Sequence, residues 1–421
     1  MKYRSHGMGH RNRRWFLVLV LLIILTAGGG GYWYAKQGHN SIASKSSSSV
    51  TASSMTSAQS SESHPETIRL IATGDWIAHD SVNTAAKQPD GTYNYMPMIS
   101  DFSPTFNDAD IRFCNDPILN GGESLGVHGY PKFNSPTEFV TDMGKLGCNL
   151  VNLASNHSFD YSQANITNSV NAWGAVPNVL AVAGENRSQA EHDSVRYFTV
   201  KGVKFAFLAY TTYINTDAPV QNSYGVNVFT DSFAASQIAT AKQNGAKFII
   251  ASMRWGTEYS NTLNPTEQQD AQFLADHGVQ LILGHGTHEL QPVQQLTGAG
   301  GTKTVVWYGL GNFLNSQEPA ATLFNGLAVM DIHVKTLTVT NMSYLPIYMH
   351  YEWTPAQQAA DDISARNHLH LYLFENATQQ MINAQQLKTT LGAQQQRYIS
   401  TLGTYGLHIP LVTSQQYLST Y

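Results

Sequence analysis

The sequence predicts a layered α/β domain, and three observations carry that expectation. Short apolar runs recur along the chain, helical patterns separate several of them, and most end abruptly at Gly, Asn, Asp or Ser. Runs alternating with helices build sheets covered by helices. The first is IRLIAT at 68–73, which stops at Gly74-Asp75 as a buried strand does. IRFCN at 111–115, NLVNLAS at 149–155, KFAFLAY at 204–210, KFIIAS at 247–252, VQLILG at 279–284 and TVVWYGLG at 304–311 repeat the pattern. Helical patterns occupy 162–173, 232–244 and 265–277. The last begins with Asn264 as N-cap, Pro265 at the first helical position and Glu267 at the third. An antiparallel portion is expected where 196–210 turns at Lys201-Gly202. Residues 327–334 and 337–349 read as two further strands, closing a domain over 67–350. From about 354 the chain is Gln-rich, so 351–421 reads as a helical C-terminal appendage without identifiable chemistry.

What precedes the domain is organised for export. Lys2, Arg4, Arg11, Arg13 and Arg14 form a basic flank over 1–14, followed by WFLVLVLLIILTA without a charge. Residues 15–35 are long enough to cross about 30 Å of hydrocarbon as a helix. Tyr32, Trp33 and Tyr34 then read as an interfacial belt. The rival reading is a cleaved signal peptide, but Leu25-Thr26-Ala27 is a poor cleavage site. The expectation is a single-pass membrane anchor with a cytoplasmic N-terminus and an extracellular main domain. Residues 36–66 should be a solvated tether; 41–66 hold 14 Ser or Thr in 26 positions, too few apolar groups to fold.

The net charge of -5 conceals an asymmetry. Without the five basic residues of the flank, 24 - 5 = 19 basic residues face 29 acidic ones, or -10. A surface of that sign excludes a nucleic-acid-binding role for the body. Two cysteines in 421 residues exclude a disulfide scaffold. Cys114 and Cys148 are read as buried free thiols, with a bridge as the alternative if their strands are neighbours.

In layered α/β proteins the ligand crevice lies beyond the carboxyl ends of the strands. Here those ends read Gly74-Asp75, Asn115-Asp116, Ser155-Asn156-His157, Ser252-Met253-Arg254 and GHGTH at 284–288. Carboxylate, amide and imidazole groups together suit a divalent Mn, Fe or Zn ion, which polarises phosphoryl oxygens and acidifies bound water. Asp75 or Asn156-His157 alone would read as an ordinary turn. The histidine pair His285 and His288 is sharper, because two imidazoles three apart in a glycine loop are poor core residues. GESLG at 122–126 satisfies G-x-S-x-G, but with Pro117, Gly129 and Pro131 around it, it reads as a glycine-rich loop and not a nucleophile elbow.

Six segments together resemble the CapA family of poly-gamma-glutamate capsule synthesis proteins: ATGDWIAHDSV at 72–82, FCNDPILNGGESLGVHGYPKFNSP at 113–136, NLASNHSFDYS at 152–162, MRWGTEY at 253–259, GHGTHELQP at 284–292 and YGLGNF at 308–313. The resemblance covers about 68–348 in family order. It implies a calcineurin-like metallophosphoesterase sandwich, exported and facing the cell wall. It also implies metal ligands at Asp75, Asn156, His285 and His288, with Asp116 beside them. His157 falls where this fold places the group that protonates a leaving oxygen, and Asp160 would orient it. His79 and Asn312 fall on motif positions expected to face substrate.

Two departures from the family pattern shape the functional expectation. The second motif usually reads Asn-Gln-Glu, and Pro117 stands where the glutamate belongs, with Asp116 one residue early. In a strand that turns Asp116 to the opposite face unless the chain bulges. The fourth motif usually reads His-Trp-Gly, and here it is Arg254-Trp255-Gly256. A guanidinium cannot ligate a metal and stays charged. The site then holds two ions, one ion with Arg254 gripping an anionic group bidentately, or none. Two functions follow: an accessory in making, exporting or attaching an anionic surface polymer, alongside membrane proteins of capsule synthesis, or a metal-dependent phosphoesterase acting on envelope components.

Overall fold

The apolar runs become strands of two facing sheets in the computed structural model, which describes residues 66–216 and 224–419. The strands are β1 (Thr67–Trp76), β2 (Ile111–Asn115), β3 (Leu150–Asn152), β4 (Ala181–Ala183), β5 (Arg196–Val200), β6 (Val203–Thr211), β7 (Phe248–Arg254), β8 (Leu281–His285), β9 (Val293–Thr297), β10 (Lys303–Trp307), β11 (Asn312–Leu314), β12 (Phe324–His333), β13 (Val339–Glu352) and β14 (Asn367–Leu373). The first sheet runs β14-β13-β12-β1-β2-β3-β4, with β11 paired to the end of β1. The second runs β5-β6-β7-β8-β10-β9. Strands β1 to β4 are mutually parallel, and so are β6, β7, β8 and β10. The carboxyl ends of the two parallel sets meet at one edge of the sandwich, where Asn152 at the end of β3 lies 3.3 Å from His285 at the end of β8.

Strand β6 shows how the layers are held. Phe205, Phe207 and Ala209 face the inter-sheet core, while Ala206, Leu208 and Tyr210 face the outer helices. That alternation is the period of two of an extended chain, here apolar on both faces because both are covered. Across the core Phe207 meets Phe113 of β2 edge to face at 6.2 Å between ring centres. The outer layer is supplied by Asp231–Gln243 and Pro265–Asp276, whose Ala234, Ile238, Ala271 and Leu274 are buried. The expected cap at Asn264 forms as a full capping box with Glu267. The hairpin forms at Lys201 and Gly202, both at positive φ (45° and 78°), which suits the twist of β5 and β6.

Several expectations need correction. Strand β1 does not stop at Gly74-Asp75 but continues to Trp76, because β11 takes over from β12, whose pairing ends at Ala72, while β2 still pairs at Asp75. Cys114 and Cys148 are disulfide-bonded rather than free thiols. Strand β2 pairs with β3 in register Cys114↔Val151, which brings the loop before β3 beside β2. The segment 351–421, read as helical, contains β14, which extends the first sheet. The helices expected there do form, at Gln379–Ala384, Leu391–Leu402 and Ser414–Ser419. The basic flank, the 15–35 span and all of the tether except Glu66 lie outside the described residues. Among the described residues no helix is long and apolar enough to cross a membrane.

Candidate functional site

The parallel registers line up polar residues at the ends of adjacent strands. On the first sheet Asp75 pairs with Asn115 and Asn115 with Asn152. Asn115 Nδ2 donates to Asp75 Oδ1 at 2.6 Å, and Asn152 Nδ2 donates to Asn115 Oδ1. On the second sheet Thr211, Arg254 and His285 pair in the same way. The two rows meet where His285 Nε2 lies 2.8 Å from Ser252 Oγ and 3.3 Å from Asn152 Nδ2. Burial pushes the His285 imidazole down to about 3, so it is neutral.

Loops complete the arrangement. Gly74 lets β11 approach closely, since a Cβ there would sit 1.9 Å from Gly311 O. Asn312 thereby reaches the end of β1 beside Asp75. His288, at φ 62°, places Nδ1 2.8 Å from Asp75 Oδ2 and 3.0 Å from Asn312 Oδ1. With two oxygen acceptors, Nδ1 carries the proton and donates. Burial works to raise the Asp75 carboxyl, but the hydrogen bond from His288, assisted by the bond from Asn115, holds it below its ordinary value. It is an ionised carboxylate whose oxygens are already taken.

Arg254 is 1% exposed at the floor of the cleft. Its Nε donates to Asn156 Oδ1 at 2.9 Å, its Nη2 pairs with Glu258, and its guanidinium lies 4.3 Å over the Tyr213 ring. Among the described residues its Nη1 is buried without a hydrogen-bond partner. Gly286 of the GHGTH loop makes room for this side chain; a Cβ there would meet Arg254 Nε at 2.8 Å. Beside it His157 Nδ1 is 2.7 Å from Asp160 Oδ2, which also accepts from Phe133 N. With Nδ1 engaged, exchange with a ligand falls to Nε2. His79 lines the same cleft, its Nδ1 accepting from Ser316 N at 3.2 Å, and burial pushes it down to about 3.

Residues 69–317 match the family described as bacterial capsule synthesis protein PGA_cap. The chain belongs to this family. It is 28% identical over 230 residues to the PGA biosynthesis protein CapA of Bacillus subtilis (strain 168), covering 54% of this chain and 58% of that relative. It is 26% identical over 209 residues to the capsule biosynthesis protein CapA of Bacillus anthracis, covering 46% and 49%. The chain thus spans about half the length of the curated relatives it matches. Among solved structures it is similar to a 5'-nucleotidase precursor of Thermus thermophilus, with 12% identity, a TM-score of 0.39 and 67% and 54% of the two chains covered. The calcineurin-like phosphoesterase YfkN of Bacillus subtilis gives 13%, 0.37, and 78% and 99%.

For this capsule synthesis family member, the residues singled out by sequence divide into two groups. Asp75, His79, Asn156, His157, Arg254 and His288 line one cleft, with His285, Asp160 and Asn312 directly behind them. Asp116 is the exception. It follows the last residue of β2 and turns the other way, where Oδ2 accepts from Trp173 Nε1 at 2.9 Å and Asn120 Nδ2 at 2.8 Å. No bulge restores it to the cleft, and its neighbour Asn115 occupies the site-facing position instead. Burial pushes the Asp116 carboxyl up to about 7 against those two bonds.

The expected ligands do not fit a metal centre in this arrangement. Among the described residues no group of three His, Cys, Asp or Glu side chains is placed to hold an ion. Asp75 is bonded to Asn115 and His288, and the Asn156 oxygen is bonded to a permanent cation, Arg254. Asn115 and Ser252 stand at strand ends marked in the sequence, and Asn152 and Glu258 within the quoted segments, but none of them was assigned a role, and Tyr213 was not marked at all. The two asparagines carry a signal as polar residues within apolar runs; Tyr213 lies in a loop with no pattern to mark it.

Proposed function

We propose that the chain is an accessory in the synthesis, export or attachment of an anionic capsule or cell-wall polymer. In this reading the N-terminal segment anchors it to the outer face of the cell membrane, and the cleft grips an anionic group of the polymer. The carrying observation is Arg254, a nearly inaccessible guanidinium fixed on three sides whose Nη1 lacks a partner among the described residues. A buried donor of this kind gains most from an anionic acceptor. Family membership supports the polymer, and the name of the Bacillus subtilis relative, PGA biosynthesis protein, makes poly-gamma-glutamate the first one to test. The buried Cys114–Cys148 disulfide supports an oxidising exterior.

The alternative, a metal-dependent phosphoesterase, asks for a donor cluster that the cleft residues do not supply. Calorimetric titration of the full chain with poly-gamma-glutamate, in chelator and then in excess Mn, separates the two readings. Binding unchanged by chelator and weakened at least tenfold by Arg254→Gln is the expected result. Binding that requires Mn, or phosphodiester hydrolysis that appears with it, would overturn the proposal.

A further inference from the structure

Exposed tyrosines gather at the mouth of the cleft: Tyr130 and Tyr259 lie within the quoted segments 113–136 and 253–259, with no role assigned to them so far. Tyr130 is 68% exposed and Tyr259 52%, and both line the cleft over Arg254 and His157. Tyr213 and Tyr130 continue the wall into an adjoining open trough of about 670 Å³ that shares Asn156, His157 and Glu258 with the cleft. This is a ligand-sized space. Tyr259 is held there at a cost: its φ of 59° is left-handed, rare for a bulky side chain, and its amide is fixed to Thr287 O at 2.9 Å. A strained backbone that presents an aromatic ring to solvent at a cleft mouth points to a contact surface.

Charge narrows the ligand. Counting arginine, lysine and carboxylate side chains alone, the lining of cleft and trough is Arg254 and Lys132 against Asp75, Asp160 and Glu258, 2 - 3 = -1. A polymer carrying a carboxylate on every unit would place several anions against those acids. A chain with sparse charge would put one anion on Arg254 and neutral units against the rim. Sugar rings meet this description, because the C–H face of a pyranose stacks on an aromatic face while its hydroxyls bond to amides such as Asn156 and Asn215. We infer that the cleft binds an anionic saccharide chain, with Arg254 holding its acid group and Tyr130 and Tyr259 stacking on the flanking sugar rings. This rests on the anionic-polymer reading above and names the class of polymer.

The test titrates the full chain with two probes: a hyaluronan hexasaccharide, in which uronates alternate with neutral amino sugars, and a poly-gamma-glutamate hexamer. The hexasaccharide is expected to bind more tightly. Tyr130→Ala and Tyr259→Ala should each weaken it roughly three- to tenfold, while Tyr130→Phe, which keeps the ring face, should bind as the native chain does. Hexasaccharide binding indifferent to both alanine variants overturns the inference. Binding of the glutamate hexamer alone, lost on Arg254→Gln, overturns the saccharide assignment but leaves the anionic-polymer reading standing. Binding of neither probe overturns both.

Discussion

Asp75 and Asp116 are both fully buried carboxyls at strand ends, and their surroundings drive them in opposite directions. At Asp75 burial is outweighed by the hydrogen bonds from His288 and Asn115, so the folded value lies below the ordinary one. Its contribution to stability is present above pH 3.8 and lost as pH falls. At Asp116 burial wins and the folded value rises to about 7, so its contribution is complete below pH 3.8 and lost as pH rises through 7. Asp116→Asn keeps an oxygen acceptor for Trp173 and Asn120 but removes the titration. Urea unfolding at pH 5 and pH 8 should show the variant gaining on the native chain by a few kcal/mol, since a tenfold change in proton affinity is worth about 1.4 kcal/mol. An equal difference at both pH values would mean that Asp116 is not protonated in the fold. Nine of the ten singled-out residues gather at one cleft: six stand at strand ends, legible as breaks in apolar runs, while His79, Asp160 and Asn312 were marked only by the family resemblance. Asp116 was misplaced because a single position decides which face a side chain takes, and Asn115 had the better claim.

The elements were legible where they are long and patterned. Strands β6, β7 and β8 are continuous apolar runs, and the helix Pro265–Asp276 carries its start signal in Asn264, Pro265 and Glu267. Strands β4 and β11, three residues each, leave no periodicity to read. The disulfide was undecidable for a different reason: it depends on β2 and β3 being neighbours, which only the sheet order supplies. It closes a sequence separation of 34 residues across the segment that holds Asn115 and Tyr130. Loop closure of that length stabilises by about 4 kcal/mol in the chain-entropy treatment. A Cys114→Ala, Cys148→Ala double variant should therefore unfold at lower denaturant by about that amount, and titration of thiols in the unfolded native chain should find none. Two free thiols in the native chain would remove the bridge and with it one support for an exported domain.

At the scale of the molecule, the C-terminal segment is part of the sandwich rather than an addition to it. Strand β14 pairs with β13 from Ile347↔Leu373 to Glu352↔Asn367. Tyr398 and Tyr417 are buried; Tyr398 Oη donates to Ile347 O at 3.2 Å, and Tyr417 Oη to Thr105 O at 3.0 Å. The segment also reaches the cleft. Arg366 lies 5.0 Å over Tyr351 and 4.5 Å over Trp353, and its Nη1 bonds to Ser316 O, while Ser316 N holds His79. Glutamine-rich composition hid this, because the buried residues Leu371, Ile382, Tyr398, Leu402 and Tyr417 are spread thinly among polar ones. Burying five such side chains is worth roughly 10 kcal/mol, comparable with the whole stability of a typical domain of about 5–15 kcal/mol. A chain ending after Glu352 should accordingly fail to give a cooperative thermal transition. A truncated chain that melted at the native temperature would show the segment to be an independent appendage, and the link from Arg366 through Ser316 to His79 would then carry no stability.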